Sequence, residues 1–236
     1  MNTSVLTRPE RHARTTTCLS THQLNTLSAY DSWAASYDTV RNVTRDLDLD
    51  VTARLLRGQR FLLTVEAGCG TGKNTPFFAS ISDYVLALDF SAKMLALARE
   101  RAPGPQVQFE QADLLHRWPC ADAVASLVSC NLVLEHIENL APIFTEAARV
   151  LVDRGTFFVS ELHPFKQYLG GQARFINAQQ IETRIKAHVH HLSDYLQAAK
   201  AANLALEHLQ ESWHADDAGA PPRLLSLKFR KKTTPE

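Results

Sequence analysis

A glycine-rich turn directly after an apolar run constrains the fold of this chain more than any other feature. The apolar residues Phe61 to Val65 precede the segment EAGCGTG, Glu66 to Gly72. This order predicts a strand, a tight turn and the start of a helix, and glycine suits the turn because it lacks a Cβ and tolerates positive φ. A ligand can therefore pack directly against the backbone of Gly68 and Gly70, which indicates a nucleotide-binding site.

The spacing of these glycines disfavours two common nucleotide motifs. The dinucleotide fingerprint GxGxxG, begun at Gly68, needs a glycine at position 73, where this chain has Lys73. The phosphate-binding pattern GxxxxGK[ST] is missing as well, since Lys73 is followed by Asn74 and no glycine stands at the required upstream offset. Both a pyrophosphate cradle and a P-loop are therefore disfavoured.

Two acids follow later strand-like runs. Asp89 ends the run within YVLALDFSAKML, about 20 residues after the glycine turn, and Asp113 follows the short run Val107 to Phe109. In an open α/β sheet, ligands lie beyond the carboxyl ends of strands, so Asp89 can accept hydrogen bonds from both hydroxyls of a ribose. Either acid could instead cap the helix that follows it, because Asp is a favoured N-cap. The combined spacing favours the nucleotide interpretation.

Three segments carry a family resemblance: [DE]xGxGxG from Glu66, DFSAKML from Asp89 and LVLEHI from Leu132. With them, residues 28–231 resemble the class I S-adenosylmethionine-dependent methyltransferases, in particular the type 11 group. The resemblance implies an α/β, Rossmann-like fold: a seven-stranded, mostly parallel sheet with helices on both faces. It places the last strand antiparallel between its two neighbours. It also implies S-adenosyl-L-methionine as the cofactor and S-adenosyl-L-homocysteine as the product.

The cofactor contacts can be assigned residue by residue. The acid Glu66 can hold an ammonium group, and in the family the acid at Asp113 commonly meets the adenine amino group beside the backbone of Leu114. Phe90 and Met94 are candidates to pack on the adenosine. The full set of candidate cofactor-binding residues is Tyr30, Trp33, Tyr37, Glu66, Gly68, Gly70, Asp89, Phe90, Met94, Asp113, Leu114 and Asn131.

An aromatic stripe lies before the first strand. In AYDSWAASYD the aromatics Tyr30, Trp33 and Tyr37 recur at helical offsets, which puts them on one face. Such a stripe usually packs in a core. The segment also resembles the family pattern YDxxAxxYD, which implies a helix that covers the cofactor, where aromatic faces attract a sulfonium cation. We favour the cover, with core packing as the alternative, and predict a second cover helix over Arg45 to Leu56.

The connection after the predicted fifth strand, Thr156 to Leu162, is too long for an ordinary loop and is interpreted as a substrate lid over 161–183. Gly170 and Gly171 would supply its hinge. His163 and Tyr168 are candidate catalytic residues, whereas Lys166 is more typical of a solvated surface. The alternative is a surface excursion with ordinary polar residues.

The run KAHVHH, Lys186 to His191, suggests a metal site at first sight. In a strand, however, His188 and His190 would face one side and His191 the other, so the three would not converge on one ion. We therefore predict no metal. His190 or His191 could face the substrate as a general base, and His191 is the third candidate catalytic residue, although a structural histidine is the commoner outcome.

Composition limits the partners and the compartment. The 236 residues carry 25 Lys+Arg and 25 Asp+Glu, so the formal net charge of zero favours neither nucleic acid nor an anionic membrane. The four cysteines form no CxxC pair, and no apolar run spans a bilayer, which indicates a cytoplasmic protein. Residues 1–27 are rich in Thr, Ser and Arg and are predicted to be a disordered tail before a domain over 28–232. The oligomeric state stays open.

The sequence therefore predicts an S-adenosylmethionine-dependent methyltransferase with a small-molecule acceptor. O, N, S and C acceptors all remain open, and only a hydroxyl would profit from a base. One alternative is a non-catalytic S-adenosylmethionine-binding module that acts through a partner. Another is an NAD-dependent oxidoreductase on a similar sheet, which Lys73 in place of the third glycine disfavours.

Overall fold

Strands and helices follow one another in the alternating order that the sequence predicts. The computed structural model describes residues 21–176 and 181–233. The strands are β1 (Phe61–Ala67), β2 (Ser82–Asp89), β3 (Val107–Gln111), β4 (Ala125–Asn131), β5 (Leu151–Leu162), β6 (Arg174–Ile176), β7 (Glu182–Arg184), β8 (Leu204–Ser212) and β9 (Leu224–Lys231). The helices are α1 (Thr21–Trp33), α2 (Val43–Leu56), α3 (Thr75–Ile81), α4 (Ala92–Arg101), α5 (Ala141–Val150), α6 (Pro164–Tyr168) and α7 (Leu192–Ala201). Short 3₁₀ turns occupy Ala34–Ser36, Leu134–His136 and Ala215–Asp217.

The main sheet has the predicted topology. Among the described residues it contains seven strands in the order β3-β2-β1-β4-β5-β9-β8. The first five in this order are parallel, and β9 is antiparallel to both β5 and β8. The order reverses at β1, so the carboxyl ends of β1, β2 and β4 meet at one edge, which is where open α/β sheets bind ligands. The Rossmann-like α/β fold is confirmed.

The two faces of the sheet carry separate apolar layers because successive strand residues point in opposite directions. On β5, Phe157 packs edge-on against Phe144 of α5, with ring centroids 5.1 Å apart. Its neighbour Phe158 belongs to the layer on the other face, together with Phe78 of α3 and Leu95 of α4. All of these side chains are fully buried or nearly so, so helices cover both faces of the sheet.

Most predicted element bounds are confirmed within a residue or two. The sequence pattern over Leu140 to Val152 predicts a helix, but α5 ends at Val150, because Leu151 already pairs with Ala125 of β4 and begins β5. The sequence also predicts Ser193 as the N-cap of the last helix, which is wrong, because α7 begins at Leu192 with His191 as its N-cap. Asn203 has the predicted left-handed backbone after that helix, with φ 59°.

The segments outside the sheet differ more from expectation. Helix α1 begins at Thr21, so 21–27 are helical and not part of a disordered tail. Residues 1–20 lie outside the described residues, as do 177–180 of the predicted lid. The rest of that lid contains helix α6 and the antiparallel pair β6 and β7. Across the two described ranges, no helix is both long and apolar enough to cross a membrane.

Candidate active site

The glycine turn after β1 has the geometry that the sequence predicts. Gly68 has φ 81° and Gly70 has φ 54°, both in the left-handed region that favours glycine. A Cβ on Gly68 would lie 2.3 Å from Cγ2 of Val133, whereas a Cβ on Gly70 would have no atom within 4 Å. Gly68 is therefore required for packing inside the protein, and Gly70 leaves open space beside the backbone.

Asp89, at the carboxyl end of β2, fixes this turn. Its Oδ2 accepts a hydrogen bond from the backbone N of Gly70 at 2.9 Å, and its Oδ1 accepts one from Ser91 N at 2.9 Å. Burial raises the pKa of Asp89 to about 6. The N-cap of α4 is Ser91, so Asp89 is not the helix cap that the alternative interpretation required.

Asp113 follows β3 and supports a local turn. Its Oδ1 accepts from the backbone N of Leu115 at 3.0 Å, and its Oδ2 lies 3.1 Å from Nδ1 of His116. The described structure places no helix directly after it. Asp113 therefore caps a turn, and it also lines the cavity described below.

A buried acid network lies beneath the glycine turn. Glu66 accepts a hydrogen bond from the Thr75 hydroxyl at 2.6 Å, and burial raises its pKa to about 8. Asp48 of α2 accepts from the side-chain amides of Asn74 at 2.8 Å and Asn131 at 2.9 Å. Oδ1 of Asn74 is buried and has no hydrogen-bond partner among the described residues. The network thus offers an unsatisfied oxygen and a neutral acid to a ligand.

One cavity, here called the main cavity, collects nearly all of the predicted cofactor residues. Those lining it are Tyr30, Tyr37, Glu66, Gly68, Gly70, Asp89, Phe90, Met94, Asp113, Leu114 and Asn131. The sequence did not single out several further lining residues, among them Thr26, Arg45, Asp48, Asn74, Val133 and His136. The motif LVLEHI was a signal for His136, whereas no sequence pattern marked Arg45 or Asp48.

A second, smaller cavity adjoins the first. This side cavity is lined by Tyr30, Trp33, Tyr37, Asn42, Thr44, Arg45, Leu132, Glu135, Leu162, Gln172 and Ala173. It shares Tyr30, Tyr37, Arg45 and Leu132 with the main cavity, and it is about half as large, at ≈ 80 Å³ against ≈ 150 Å³. Trp33, predicted as a cofactor contact, lies only here.

The aromatic stripe packs partly in a core and partly against the two cavities. Trp33 stacks on Phe175 of β6 with ring centroids 5.0 Å apart and forms a small core with Ile185. Tyr30 and Tyr37 line both cavities. The guanidinium carbon of Arg45 lies 3.9 Å from the centroid of Tyr37, a cation–π contact that fixes both side chains.

The three predicted catalytic residues line neither cavity. Nε2 of His163 lies 3.0 Å from Glu211, while its Nδ1 accepts from the backbone N of Phe165, so both ring nitrogens are engaged. Burial lowers the pKa of His163. The Tyr168 hydroxyl and Nδ1 of His191 are 2.5 Å apart, and they bond each other near the surface.

The histidine run is irregular and not a strand, so the alternation used to interpret it is wrong. Nε2 of buried His190 donates to the backbone carbonyls of Leu134 at 3.1 Å and Ile137 at 2.7 Å, which is a structural role. Within the parts of the chain that the structure describes, no group of three His, Cys, Asp or Glu side chains could hold a metal ion.

Comparison with known proteins agrees with this geometry. Residues 65–159 match a methyltransferase domain family. An uncharacterised methyltransferase of Emericella nidulans is 28% identical, with 78% of this chain and 77% of that protein covered. A malonyl-[acyl-carrier protein] O-methyltransferase of Yersinia pestis is 27% identical, with 75% and 69% covered. The solved DhpI–SAM–HEP complex has a TM-score of 0.68 at 22% identity, with 90% of this chain and 100% of that chain covered.

The fold, the cavity at its switch point and these relatives define a class I S-adenosylmethionine-dependent methyltransferase. The chain is an enzyme of this class, and its cofactor is S-adenosyl-L-methionine. Within the class, residues 65–159 match the type 11 group that the sequence resemblance implied.

Proposed function

We propose that this methyltransferase transfers its methyl group to a small-molecule acceptor held in the side cavity. The observation that carries the proposal is that the two cavities share the lining residues Tyr30, Tyr37, Arg45 and Leu132. A methyl donor in one cavity would therefore lie next to an acceptor in the other. The shared side chains would exclude water and fix the orientation of both molecules, which supplies much of the rate enhancement of a displacement.

The cofactor would be held by the residues around the glycine turn. We assign Asp89 to the ribose hydroxyls, Asp113 with the backbone of Leu114 to the adenine, and Glu66 to the ammonium group. The unsatisfied Oδ1 of Asn74 supports this last assignment, since a buried acceptor without a partner is costly until a donor arrives. When bound, S-adenosyl-L-methionine supplies an electrophilic methyl group on a sulfonium leaving group.

The cover would be formed by α1 together with the segment after β5. We propose that 161–183 acts as one wall of the acceptor site, because Leu162, Gln172 and Ala173 line the side cavity. The stacking of Phe175 on Trp33 supports a joint cover made of this segment and α1. The positive φ of Gly170, 84°, suits a hinge at the end of α6.

The other properties of the chain suit a small acceptor. Its formal net charge of zero gives no general attraction to nucleic acid. Cys69, Cys120 and Cys130 are free thiols, which suits a reducing compartment such as the cytoplasm. We accordingly propose a cytoplasmic enzyme that acts on a metabolite.

Titration calorimetry with S-adenosyl-L-methionine tests the assignment of the cofactor site. We expect micromolar binding by the wild type and a loss of about tenfold or more in Asp89→Ala, which removes two buried hydrogen bonds. Asp50→Ala changes an exposed aspartate of α2 and should bind as the wild type does. Asp89→Asn, which keeps the shape of the side chain, separates lost binding from lost folding.

Two further outcomes would contradict the proposal. Binding of NADH in preference to S-adenosyl-L-methionine would favour an oxidoreductase site. A second outcome is tight cofactor binding with no S-adenosyl-L-homocysteine formed from any acceptor class. Together with normal biological activity of Asp89→Ala, that result would favour a binding module.

A further inference from the structure

Two side chains that line the side cavity each carry a buried polar atom without a partner among the described residues. The two atoms are Nε of Arg45 and Oε2 of Glu135. The side chain of Arg45 is 11% exposed and that of Glu135 is 9% exposed. A buried donor or acceptor without a partner is destabilising, so the pair indicates a ligand that satisfies both.

Arg45 is fixed in place by its other atoms. Its Nη2 donates to the Tyr37 carbonyl at 2.7 Å, its Nη1 lies 3.3 Å from Asp38, and its guanidinium lies over the Tyr37 ring. Its Nε has no hydrogen-bond partner among the described residues. The cation also occupies the aromatic face that an ammonium group would otherwise use, so a positively charged acceptor is disfavoured.

The backbone at Glu135 is also fixed by hydrogen bonds. Its carbonyl accepts from His188 N at 2.7 Å, and the preceding residues are anchored by Oε1 of Glu161, which accepts from Val133 N and Leu134 N at 2.9 Å. Oε1 of Glu135 lies 3.7 Å from Nε2 of His136. The Glu135 carboxyl also has a side-chain hydrogen bond with Gln167, and its Oε2 has no partner among the described residues.

A hydroxyl group suits a donor and an acceptor together, because it accepts one hydrogen bond and donates another. A carboxylate acceptor would accept from Arg45 but would face the like charge of Glu135. The rings of Tyr30, Trp33 and Tyr37 favour a flat, aromatic acceptor, and the small size of the cavity favours a compact one.

We infer that the acceptor is a compact phenol whose hydroxyl accepts from Nε of Arg45 and donates to Oε2 of Glu135, which serves as the general base. This inference rests on the proposed function. The hydroxyl proton passes to Oε2 while the phenolic oxygen bonds to the methyl carbon. The electron pair of the broken carbon–sulfur bond stays on sulfur, so the products are an aryl methyl ether, neutral S-adenosyl-L-homocysteine and a protonated Glu135. Burial raises the pKa of Glu135 to about 7, which suits a base that works near neutrality.

The test compares three single-ring probes: phenol, benzylamine and benzoate. Each is titrated into the full chain saturated with S-adenosyl-L-homocysteine, and each is then assayed for methyl transfer from S-adenosyl-L-methionine. We expect phenol to bind at least about tenfold more tightly than the other two and to yield anisole. Preference for benzylamine or benzoate, with cofactor binding intact, would overturn the inference and leave the methyltransferase assignment standing.

Variants of Glu135 test its role as the base. Glu135→Gln keeps the shape but cannot take the proton, so turnover of phenol should fall by about 100-fold or more, while the dissociation constant of the cofactor stays unchanged. Glu138→Gln changes an exposed glutamate three residues further on and should behave as the wild type. Wild-type turnover in Glu135→Gln would refute the base. Absence of cofactor binding by the wild type would instead remove the proposed function, and the inference with it.

Discussion

The hydroxyl of Tyr30 and Nε2 of His136 lie 2.7 Å apart, although 106 positions separate the two residues in the chain. Nδ1 of His136 is 3.3 Å from the backbone carbonyl of Lys186, and a carbonyl can only accept, so Nδ1 carries the proton. Nε2 forms the second hydrogen bond of the ring, with the Tyr30 hydroxyl. This bond ties α1 to the 3₁₀ turn after β4, and both residues line the main cavity.

Removing the Tyr30 hydroxyl should weaken the attachment of α1 to the turn at His136. Burial raises the pKa of Tyr30 well above its ordinary value, so the hydroxyl stays protonated. Tyr30→Phe should weaken binding of S-adenosyl-L-methionine by about 3- to 10-fold, the worth of one hydrogen bond, as measured by titration calorimetry. The matched control is Tyr84→Phe, at an exposed position of β2. An unchanged affinity for S-adenosyl-L-methionine in Tyr30→Phe would show that this hydrogen bond does not contribute to cofactor binding.

Two glycine substitutions should have different consequences. Gly68→Ala places a methyl group 2.3 Å from Val133, so we expect a loss of roughly 2 kcal/mol or more in the free energy of unfolding, measured by urea denaturation. Gly219→Ala has a similar φ of 74° but no atom within 4 Å, so it should lose only the roughly 1 kcal/mol of left-handed strain. Equal losses at both positions would mean that Val133 moves aside without cost.

The buried acid Glu66 should make the free protein less stable as the pH rises. Its pKa is raised in the folded state to about 8 from 4.5, so the neutral carboxyl is the favoured form. Its stabilising contribution is full below the unfolded pKa and is lost as the pH rises through about 8. Glu66→Gln stays neutral, so its Tm relative to wild type should increase between about pH 5 and pH 9. For Glu138→Gln, an exposed change, the difference in Tm from the wild type should not depend on pH. A difference that does not depend on pH in Glu66→Gln would contradict the prediction.

Asp217 joins the segment after β5 to the sheet. It accepts from Nζ of Lys166 at 2.9 Å and from Nη2 and Nε of Arg223 at 2.6 and 2.7 Å. Asp217→Asn breaks a buried ion cluster, so the free energy of unfolding should fall by about 3 kcal/mol in urea denaturation.

The stability that this cluster contributes should depend on pH in the acid range. The Arg223 hydrogen bonds hold the pKa of Asp217 below its ordinary value of 3.8, so its contribution is present above that pH and is lost as the pH falls further. The difference in the free energy of unfolding between Asp217→Asn and the wild type should accordingly become smaller below about pH 4. Asp216→Asn is the control, since its side chain is 70% exposed, and it should leave stability nearly unchanged.

The parts of the site that the sequence could predict are those encoded locally. The glycine turn, Asp89 and Asp113 directly follow strands, and parallel strands bring their carboxyl ends to one edge whatever the loops do. Arg45, Asp48 and Glu135 were not assigned to the site from the sequence, although Glu135 lies within the motif LVLEHI. They reach the cavities from α2 and from the turn after β4, and their roles depend on packing between elements far apart in sequence.

The misplaced catalytic residues show the same limit. His163 and His191 lie near the predicted lid in sequence, but the direction of a side chain depends on its partners. His163 faces Glu211, which follows 48 positions later on β8, and His191 caps a helix and bonds Tyr168. The histidine run lacked the strand conformation on which its alternation depended, since irregular backbone has no fixed period.

The position of β9 has a consequence for biosynthesis. Because β9 lies between β5 and β8, the strand β8 cannot join the sheet when it leaves the ribosome, although it is made first. Until 224–231 emerge, β5 presents an open edge to solvent beside the nucleotide-binding half of the sheet. A translation product that stops short of β9 would thus carry the glycine turn and an unpaired strand together, and it would be prone to aggregate by strand pairing with its neighbours.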